Sequence, residues 1–337
     1  MKRLVIDFGS GYTKIYMPGC GVVLFEATCI AVEEMADSHA YNIKAYGDKA
    51  KALSGRAARS THIINPVSQG DIVHMNLALE LLRYFLEKIE IPARKARHAE
   101  ALFLLPCGIK DEIVQKYKRL AEECGFANAY FSRVPFAIIL GHNITMSESR
   151  PVFCMDIGCT VSNIAAVSQD GIISGRSVYL GGKDIDICIM DDLAANHDFR
   201  IGSLTAENLK NGVGSLLPDD NKMNNVYGRE RSSGTPQTLS VYSGHLYGII
   251  SGHLDTIIQQ AAEMLSGLSP DVSSSIMRSG IYLAGGMMKV DGVPQYIENK
   301  LGITVNMPED PQLDAVIGGG TILSDDKLLD RLTETLD

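Results

Sequence analysis

The chain of 337 residues lacks the long apolar runs and paired cysteine motifs of membrane proteins and disulfide-stabilised proteins. No stretch of about 18 apolar residues occurs, so no segment is expected to span a bilayer. Two basic residues near the start lead directly into a strand-like segment, without the apolar core of a signal peptide. The seven cysteines form no CxxC pair, which argues against a disulfide framework and a zinc site. Unpaired cysteines in apolar contexts are typical of a cytosolic protein.

Basic residues are in the minority, with 31 Lys and Arg against 40 Asp and Glu, and the formal net charge is −9. This balance argues against a general nucleic-acid coat, so no nucleic-acid partner is expected. The eight histidines are scattered without ligand spacing, which disfavours a site built on metal alone. The length favours about two domains, and a hydrophobic share of 45% is ordinary for a globular protein.

Glycine is the residue in excess, at 32 positions. Strand-like runs alternate with segments of helical spacing, which indicates an α/β fold. A strand followed by Asp-x-Gly and a second strand occurs at Asp7 and again at Asp156, a weak internal duplication. We predict a strand pair over 21–32, a hairpin turn at 169–171, hairpins and loops over 218–240, and helices over 76–89, 109–124, 134–140, 184–196, 204–216 and 246–265.

The two Asp-x-Gly turns predict a phosphate site. Backbone N–H groups of such turns converge on anionic oxygens, and an Asp at the strand end can hold Mg²⁺ through water. A single turn of this kind is more often just a turn, but the repeat, together with Gly285 and Gly286 after a late strand, favours a nucleotide clamped between two domains. The sequence contains neither a P-loop nor the dinucleotide fingerprint.

These motifs resemble those of the MreB-like bacterial actins, within the superfamily of actins, sugar kinases and heat-shock ATPases. The resemblance extends over nearly the whole chain, in the segments 7–13, 21–26, 46–50, 65–70, 156–158, 180–186, 205–210, 283–286 and 309–311. It implies an α/β actin-like ATPase fold with two RNase-H-like domains, each with a smaller inserted subdomain, and a nucleotide in the cleft between them. We predict the first inner domain at 1–33 and 66–148 with its insertion at 34–65, and the second at 149–182 and 242–337 with its insertion at 183–241.

The resemblance implies ATP and Mg²⁺ as ligands. The implied nucleotide-binding residues are Asp7, Gly9, Ser10, Gly11, Tyr12, Thr13, Asp156, Gly158, Cys159, Thr160, Gly182, Asp184, Glu207, Lys210, Gly285, Gly286 and Met287. Asp7 and Asp156 are expected to hold Mg²⁺ through water. The late glycines 318–320 are attributed to the cleft or to neighbouring motifs.

The departures from the family pattern lie mainly in the motifs that the family uses for nucleotide binding and hydrolysis. Val134 stands where the family has a Glu that positions the attacking water, and Val161 replaces a family Thr. Cys159, Thr160 and Met287 replace glycines. Loss of one water-positioning group costs on the order of 10²–10⁵ in rate, so we expect ATP binding with slow or absent hydrolysis and assign no catalytic residue. The alternative is that Thr160, Ser162 or another polar residue substitutes.

The resemblance implies self-assembly into filaments that organise cell shape or another internal structure. Two alternatives from the same superfamily remain, a small-molecule kinase and a chaperone-type ATPase. A kinase needs an Asp for the acceptor hydroxyl, and no such motif is found. A chaperone-type ATPase is normally joined to a substrate-binding domain.

A basic segment predicts a contact with anionic membranes. Ile91 precedes Arg94, Lys95 and Arg97, and each basic residue near such a surface contributes about 1 kcal/mol. The family carries a membrane-inserting apolar pair at this position, and membrane-protein partners fit the same picture. A solvated loop with one core Ile is the alternative. We therefore expect a cytoplasmic protein, peripheral at the inner face of the membrane if this segment binds lipid.

Overall fold

The structure is a computed structural model that describes residues 2–34, 41–56, 58, 60–145 and 150–336. Its strands are β1 (Lys2–Phe8), β2 (Tyr12–Met17), β3 (Gly21–Ala27), β4 (Ile30–Glu34), β5 (Tyr41–Tyr46), β6 (Thr61–Ile64), β7 (Val67–Ser68), β8 (Asp71–Ile72), β9 (Ala99–Leu105), β10 (Asn128–Arg133), β11 (Val152–Ile157), β12 (Ser162–Ser168), β13 (Gly171–Val178), β14 (Phe199–Arg200), β15 (Met223–Glu230), β16 (Pro236–Tyr242), β17 (Ile281–Ala284), β18 (Val305–Asn306) and β19 (Thr333–Thr335). Its helices are α1 (Gly47–Ala52), α2 (Met75–Lys88), α3 (Ala93–Ala96), α4 (Asp111–Glu123), α5 (Val134–Gly141), α6 (Gly182–Asn196), α7 (Ser203–Gly212), α8 (Ser243–Ser266), α9 (Pro270–Ser279), α10 (Val293–Leu301), α11 (Asp314–Ser324) and α12 (Asp326–Leu332), with a 3₁₀ turn at Gly286–Lys289.

Two large sheets repeat one topology. The first has the order β3-β2-β1-β9-β10-β19, and the second has the order β13-β12-β11-β17-β18. In each, three antiparallel strands that follow one another in sequence are continued by two parallel strands. Asp7 in β1 and Asp156 in β11 therefore occupy equivalent places, and the weak duplication in the sequence corresponds to a structural repeat. The α/β class is confirmed.

Smaller sheets accompany the two large ones. β4 pairs with β5 and β6, and β15 pairs with β14 and β16. The predicted strand pair over 21–32 is wrong in its pairing, because β3 belongs to the first large sheet while β4 starts the small one after a turn at Cys29. The four-part domain division stays a prediction.

Helices cover both large sheets and pack between them. α2 and α4 bury their apolar faces on the first sheet, and α6, α8 and α10 do so on the second. α5 and α11 lie in a third apolar cluster with residues of β1, β11 and β12, which explains why α5 is apolar on all sides. The predicted helix over 204–216 ends earlier, at Gly212, and β10 was not predicted. Within the described ranges, no helix has the length and apolar character to cross a membrane.

The late glycines belong to a helix rather than to the cleft. Residues 318–320 lie inside α11, where a Cβ on Gly318 would be 1.8 Å from the carbonyl oxygen of Ala137 in α5. A Cβ on Gly319 would be 2.6 Å from Val5 Cγ1, and one on Gly320 would be 2.4 Å from Tyr16 Cε1. The absence of side chains therefore allows α11 to approach α5 and the first sheet closely. Of the two places predicted for these glycines, the cleft or a neighbouring motif, the cleft is wrong, because none of the three is among the described residues that line it.

Candidate functional site

The turns that follow β1 and β11 open into one cleft of about 720 Å³. Most of the predicted binding residues line it, namely Asp7, Gly9, Ser10, Gly11, Tyr12, Asp156, Gly158, Cys159, Gly182, Glu207, Lys210, Gly285, Gly286 and Met287. The cleft is thus built from both large sheets together with α6 and α7. Side chains more than 100 positions apart in the chain face the same space.

The two turns face each other directly. A Cβ on Gly11 would lie 2.9 Å from Cys159 Cβ, which is too close for two carbon atoms. Glycine at position 11 therefore allows the two turns to come this close. Across the same contact, the Thr160 hydroxyl donates a hydrogen bond to the Ser10 hydroxyl over 2.7 Å. The backbone N–H of Gln69 donates to Thr160 Oγ1 over 2.9 Å. These contacts hold the two Asp-bearing turns together at one end of the cleft.

Three predicted binding residues lie behind the cleft surface. Thr13 is fully buried, and its hydroxyl is 2.8 Å from that of Thr28. Thr160 is buried and joins the two turns as described. The carboxylate of Asp184 accepts the backbone N–H of Gly181 over 2.8 Å, which caps the start of α6. All three support the loops that border the cleft.

The acidic residues of the two turns have different partners across their hairpins. Asp7 pairs with Lys14, whose Nζ is 2.6 Å from Asp7 Oδ2, and Asp156 accepts the amide of Asn163 over 3.0 Å. Burial opposes the charge on Lys14, but attraction to Asp7 and its hydrogen bond, with a further contribution from Asp156, raise the Lys14 pKa. Burial raises the pKa of Asp156 to about 6, although Asn163 and Lys14 counteract it.

Lys14 and Asn163 were missed by the sequence analysis. Each sits opposite the Asp in strand register, Asp7 with Lys14 and Asp156 with Asn163. The available signal was their shared position seven residues after the Asp, directly across the hairpin.

A second polar group lies beside the turn that follows β11, where the Gly182 N–H bonds the Gly158 carbonyl over 3.0 Å. Lys210 Nζ is 2.7 Å from Asp186 Oδ1 and donates to the Gly182 carbonyl over 2.7 Å. Burial raises the pKa of Asp186 to about 6, against the opposing charge of Lys210. Lys51 spans the cleft, because its Nζ lies 2.8 Å from both the Tyr12 hydroxyl and Glu207 Oε1. Neither Asp186 nor Lys51 was predicted as a site residue.

Two apolar side chains border the same cleft. Val134, the first residue of α5, is 7% exposed, and Val161 is 8% exposed. Both line the cleft, and neither side chain carries a hydrogen-bonding atom. This part of the wall therefore offers no general base.

The predicted membrane segment is only partly at the surface. Ile91 is fully buried in the cluster formed with α2 and α3. The predicted membrane contact of Ile91 is therefore wrong, and the alternative of one core Ile is confirmed for this residue. Its backbone N–H bonds the Leu86 carbonyl just after α2, and this turn directs the side chain into the core. Arg94, Lys95 and Arg97 are exposed on α3 and immediately after it.

The comparison with known proteins decides the family. The family model described as MreB/Mbl protein matches residues 1–331. The chain belongs to the MreB/Mbl family. This family member is 26% identical to the cell shape-determining protein MreB of Escherichia coli K12, over 95% of this chain and 92% of that protein. It is also 26% identical to the cell shape-determining protein Mbl of Bacillus subtilis 168, over 98% of each.

Solved structures agree on the fold. MreB 5 of Spiroplasma citri bound to AMPPNP superposes with a TM-score of 0.89 at 24% identity, covering 98% of this chain and 97% of that one. The MamK double helical filament gives a TM-score of 0.77 at 17% identity, covering 96% and 99%. The predicted actin-like fold and the resemblance to MreB-like actins are confirmed for this MreB/Mbl family member.

Proposed function

We propose that this chain binds ATP with Mg²⁺ in the cleft and polymerises into cytoskeletal filaments that serve cell shape or intracellular organisation, with slow or absent hydrolysis. The observation that carries the proposal is the pair of Asp-bearing turns facing each other beside the apolar side chains of Val134 and Val161. Relatives named cell shape-determining proteins, nucleotide-bound MreB5 and filamentous MamK support it. Family membership favours it over the kinase and chaperone alternatives.

The residues of the cleft fit a magnesium nucleotide. Asp7 and Asp156 offer carboxylate oxygens suited to Mg²⁺ through water, and Lys14 between them adds a positive charge for phosphate. The bound Mg²⁺ would supply charge neutralisation of the phosphates. Glu207, Lys210 and the 285–287 turn line the same cleft and would contact the nucleoside.

The expectation of slow hydrolysis is supported by the hydrogen bonds that the hydroxyls of Thr160 and Ser162 already make. Thr160 already bonds Ser10 and the Gln69 backbone, and the Ser162 hydroxyl donates to the Leu180 carbonyl over 2.7 Å. Either would have to leave these partners to position water in place of the family Glu. The polar-substitute alternative therefore has a structural cost at both positions.

Purified protein with ATP and Mg²⁺ tests the proposal by electron microscopy and phosphate release. We expect filaments, with turnover accelerated at least about tenfold by Val134→Glu, because a carboxylate restores a water-positioning group. Asp156→Ala should lose nucleotide binding. Fast turnover by the wild type that Asp156→Ala abolishes would contradict slow hydrolysis. A monomer that phosphorylates small molecules would favour the kinase alternative.

We also propose a peripheral contact with anionic lipid at the inner face of the membrane. It rests on the exposed charges of Arg94, Lys95 and Arg97, without an apolar anchor from Ile91. Such a contact is purely electrostatic and therefore sensitive to salt.

A further inference from the structure

Away from the cleft, Asp192, His197 and His245 bring three metal-ligating side chains together. One donor atom from each lies within 4.8 Å of the other two. Asp192 is in the last turn of α6, His197 follows the last residue of that helix, and His245 is in the first turn of α8. Across the residues that the structure describes, no other three His, Cys, Asp or Glu side chains meet in this way.

The packing of α6 beside α8 holds the three side chains in place. His245 Nε2 lies 2.7 Å from Asp192 Oδ2, and the rings of His197 and His245 meet edge to face with centroids 4.8 Å apart. The side-chain amide of Asn196 donates to Asp192 Oδ1 over 2.8 Å. This bond orients the carboxylate and leaves Oδ2 directed at the histidines, as outer contacts do in metal sites.

We infer that Asp192, His197 and His245 form a binding site for a divalent cation, with zinc as the best-suited ion. Two imidazole nitrogens and one carboxylate oxygen are a donor set that zinc accepts in tetrahedral sites. Donor atoms on a tetrahedral zinc ion lie about 3.4 Å apart. Small side-chain rotations reach this spacing, by widening the 2.7 Å pair of His245 and Asp192 and by shortening distances that now extend up to 4.8 Å. Zinc at His245 Nε2 needs that nitrogen free of a proton, so the ring proton lies on Nδ1 when the ion is bound and the carboxylate of Asp192 coordinates zinc instead of the ring N–H.

The exposure of the cluster is suited to exchange with solvent. The side chains of His245 and Asp192 are 29% and 24% exposed, so an ion can enter from solvent and water can take the fourth position. The cluster also lies at the C-terminal end of α6, where the helix dipole favours a cation by about 0.3–1 kcal/mol. A bound ion would tie the end of α6 to the start of α8 and fix the entry into β14.

A neighbouring pair provides a built-in comparison. Cys188 Sγ on α6 lies 3.5 Å from His253 Nε2 on α8, and His253 Nδ1 bonds the Ile249 carbonyl over 3.0 Å. Within the described residues, this pair has no third metal-ligating side chain beside it. Cys188 already contacts His253, and His253 also bonds a backbone carbonyl. Replacing His253 therefore removes a histidine from the same helix without changing the three-residue cluster.

The experiment is a zinc titration of untagged, chelator-treated protein without nucleotide, followed by calorimetry. We expect one equivalent of zinc to bind, with affinity reduced about tenfold or more by His197→Gln or by His245→Gln. His253→Gln and the exposed-residue variant His62→Gln should bind as the wild type does. Thermal melting in chelator checks that each variant folds, and added zinc should raise the melting temperature only of proteins with the intact cluster.

The remaining outcomes overturn the inference. Unchanged affinity in both cluster variants would mean that zinc binds elsewhere on the chain. Loss of binding in His253→Gln alone would assign the ion to the Cys188 pair. Weak binding of several equivalents, alike in every variant, would show adventitious surface binding only.

Discussion

At the residue scale, Asp314 stands out as a buried carboxyl whose Oδ2 has no hydrogen-bond partner among the residues that the structure describes. His142 Nε2 is 3.6 Å from that oxygen and 3.1 Å from the Leu283 carbonyl. Burial, with the nearby charge of Asp156, raises the pKa of Asp314 to about 8, while burial lowers the pKa of His142. Near neutral pH the fold therefore accommodates a protonated carboxyl beside a neutral imidazole.

This shift makes the effect of Asp314→Asn dependent on pH. A carboxyl whose pKa is higher in the folded than in the unfolded state contributes stability that is fully present below the unfolded pKa of about 3.8 and is lost as pH rises through about 8. Asn does not titrate, so the Asp314→Asn variant does not lose this stability. As pH rises through this window, the free energy of unfolding of the variant minus that of the wild type should increase by up to about 1.4 kcal/mol per pH unit. Urea unfolding near pH 5, 7 and 9 measures this increase.

The control is Asp330→Asn, which changes an exposed residue. If the difference between Asp314→Asn and the wild type stayed constant with pH, the pKa shift would be contradicted.

Single residues also mark the limit of sequence reasoning. The two Asp turns were recognisable because aspartate and glycine occur together at strand ends, and the structure brings both turns into one cleft. Lys14 and Asn163 were missed because their role arises from strand register, which pairs positions across a hairpin. The sequence left open whether Ile91 faces lipid or core, because the turn before it decides where a lone apolar side chain points.

At the scale of elements, the contact of α11 with α5 depends on glycines that are poor helix formers. Each glycine inside a helix costs roughly 0.5–1 kcal/mol relative to alanine. The close approach of α11 to the α5 backbone and the first sheet offsets this cost through packing. Three consecutive glycines also suit a phosphate-binding turn. The sequence alone therefore did not distinguish a helix-packing role from a phosphate-binding role.

Gly318→Ala should therefore destabilise the protein although alanine favours helices. The new Cβ would lie 1.8 Å from the Ala137 carbonyl, a backbone atom, so the helices must separate. We expect a loss of about 1–3 kcal/mol in the free energy of unfolding, measured in urea. Gly248→Ala in α8 is the matched control, because a Cβ there would meet no atom of the described part of the chain within 4 Å. This variant should stabilise the protein by about 0.5–1 kcal/mol. Equal stability of Gly318→Ala and the wild type would refute the packing role.

Elements with a strong local pattern were predictable, and elements with a weak one were not. The helix predicted over 76–89 is α2, and the turn predicted at 169–171 connects β12 to β13. β10 was not predicted, because polar and apolar side chains alternate only weakly over its six residues. The pairing of β4 depends on partners later in the chain, and local pattern carries no information about that choice.

At the scale of the whole molecule, the cleft is closed by contacts between distant parts of the chain. Lys51 bridges to Glu207, and Ser10 bonds Thr160, and the partners in these pairs are 156 and 150 positions apart in the chain. Composition and periodicity predicted an α/β protein, whereas the actin-like arrangement required the motif resemblance. The meeting of Asp192 with the two histidines was not predictable, since it follows from the packing of α6 on α8.

The surface of the molecule also determines how it would meet a membrane. The protein is acidic overall, so attraction to anionic lipid must come from a local group of positive charges. Arg94, Lys95 and Arg97 form such a group on one short exposed segment. At about 1 kcal/mol for each basic residue, three charges strengthen binding by roughly 100-fold at low salt.

Reversal of these charges should abolish lipid binding in a flotation assay, which separates vesicle-bound protein from filaments that sediment alone. We expect the wild type to float with phosphatidylserine vesicles at low salt and the triple variant Arg94→Glu, Lys95→Glu, Arg97→Glu to remain at the bottom. A control with the same change in net charge carries Lys49→Glu, Lys110→Glu and Lys327→Glu, all exposed and dispersed. Retained flotation of that control assigns binding to the segment at α3. Equal loss in both variants would mean that only overall charge matters, and unchanged flotation of the α3 variant would place the lipid contact on another surface.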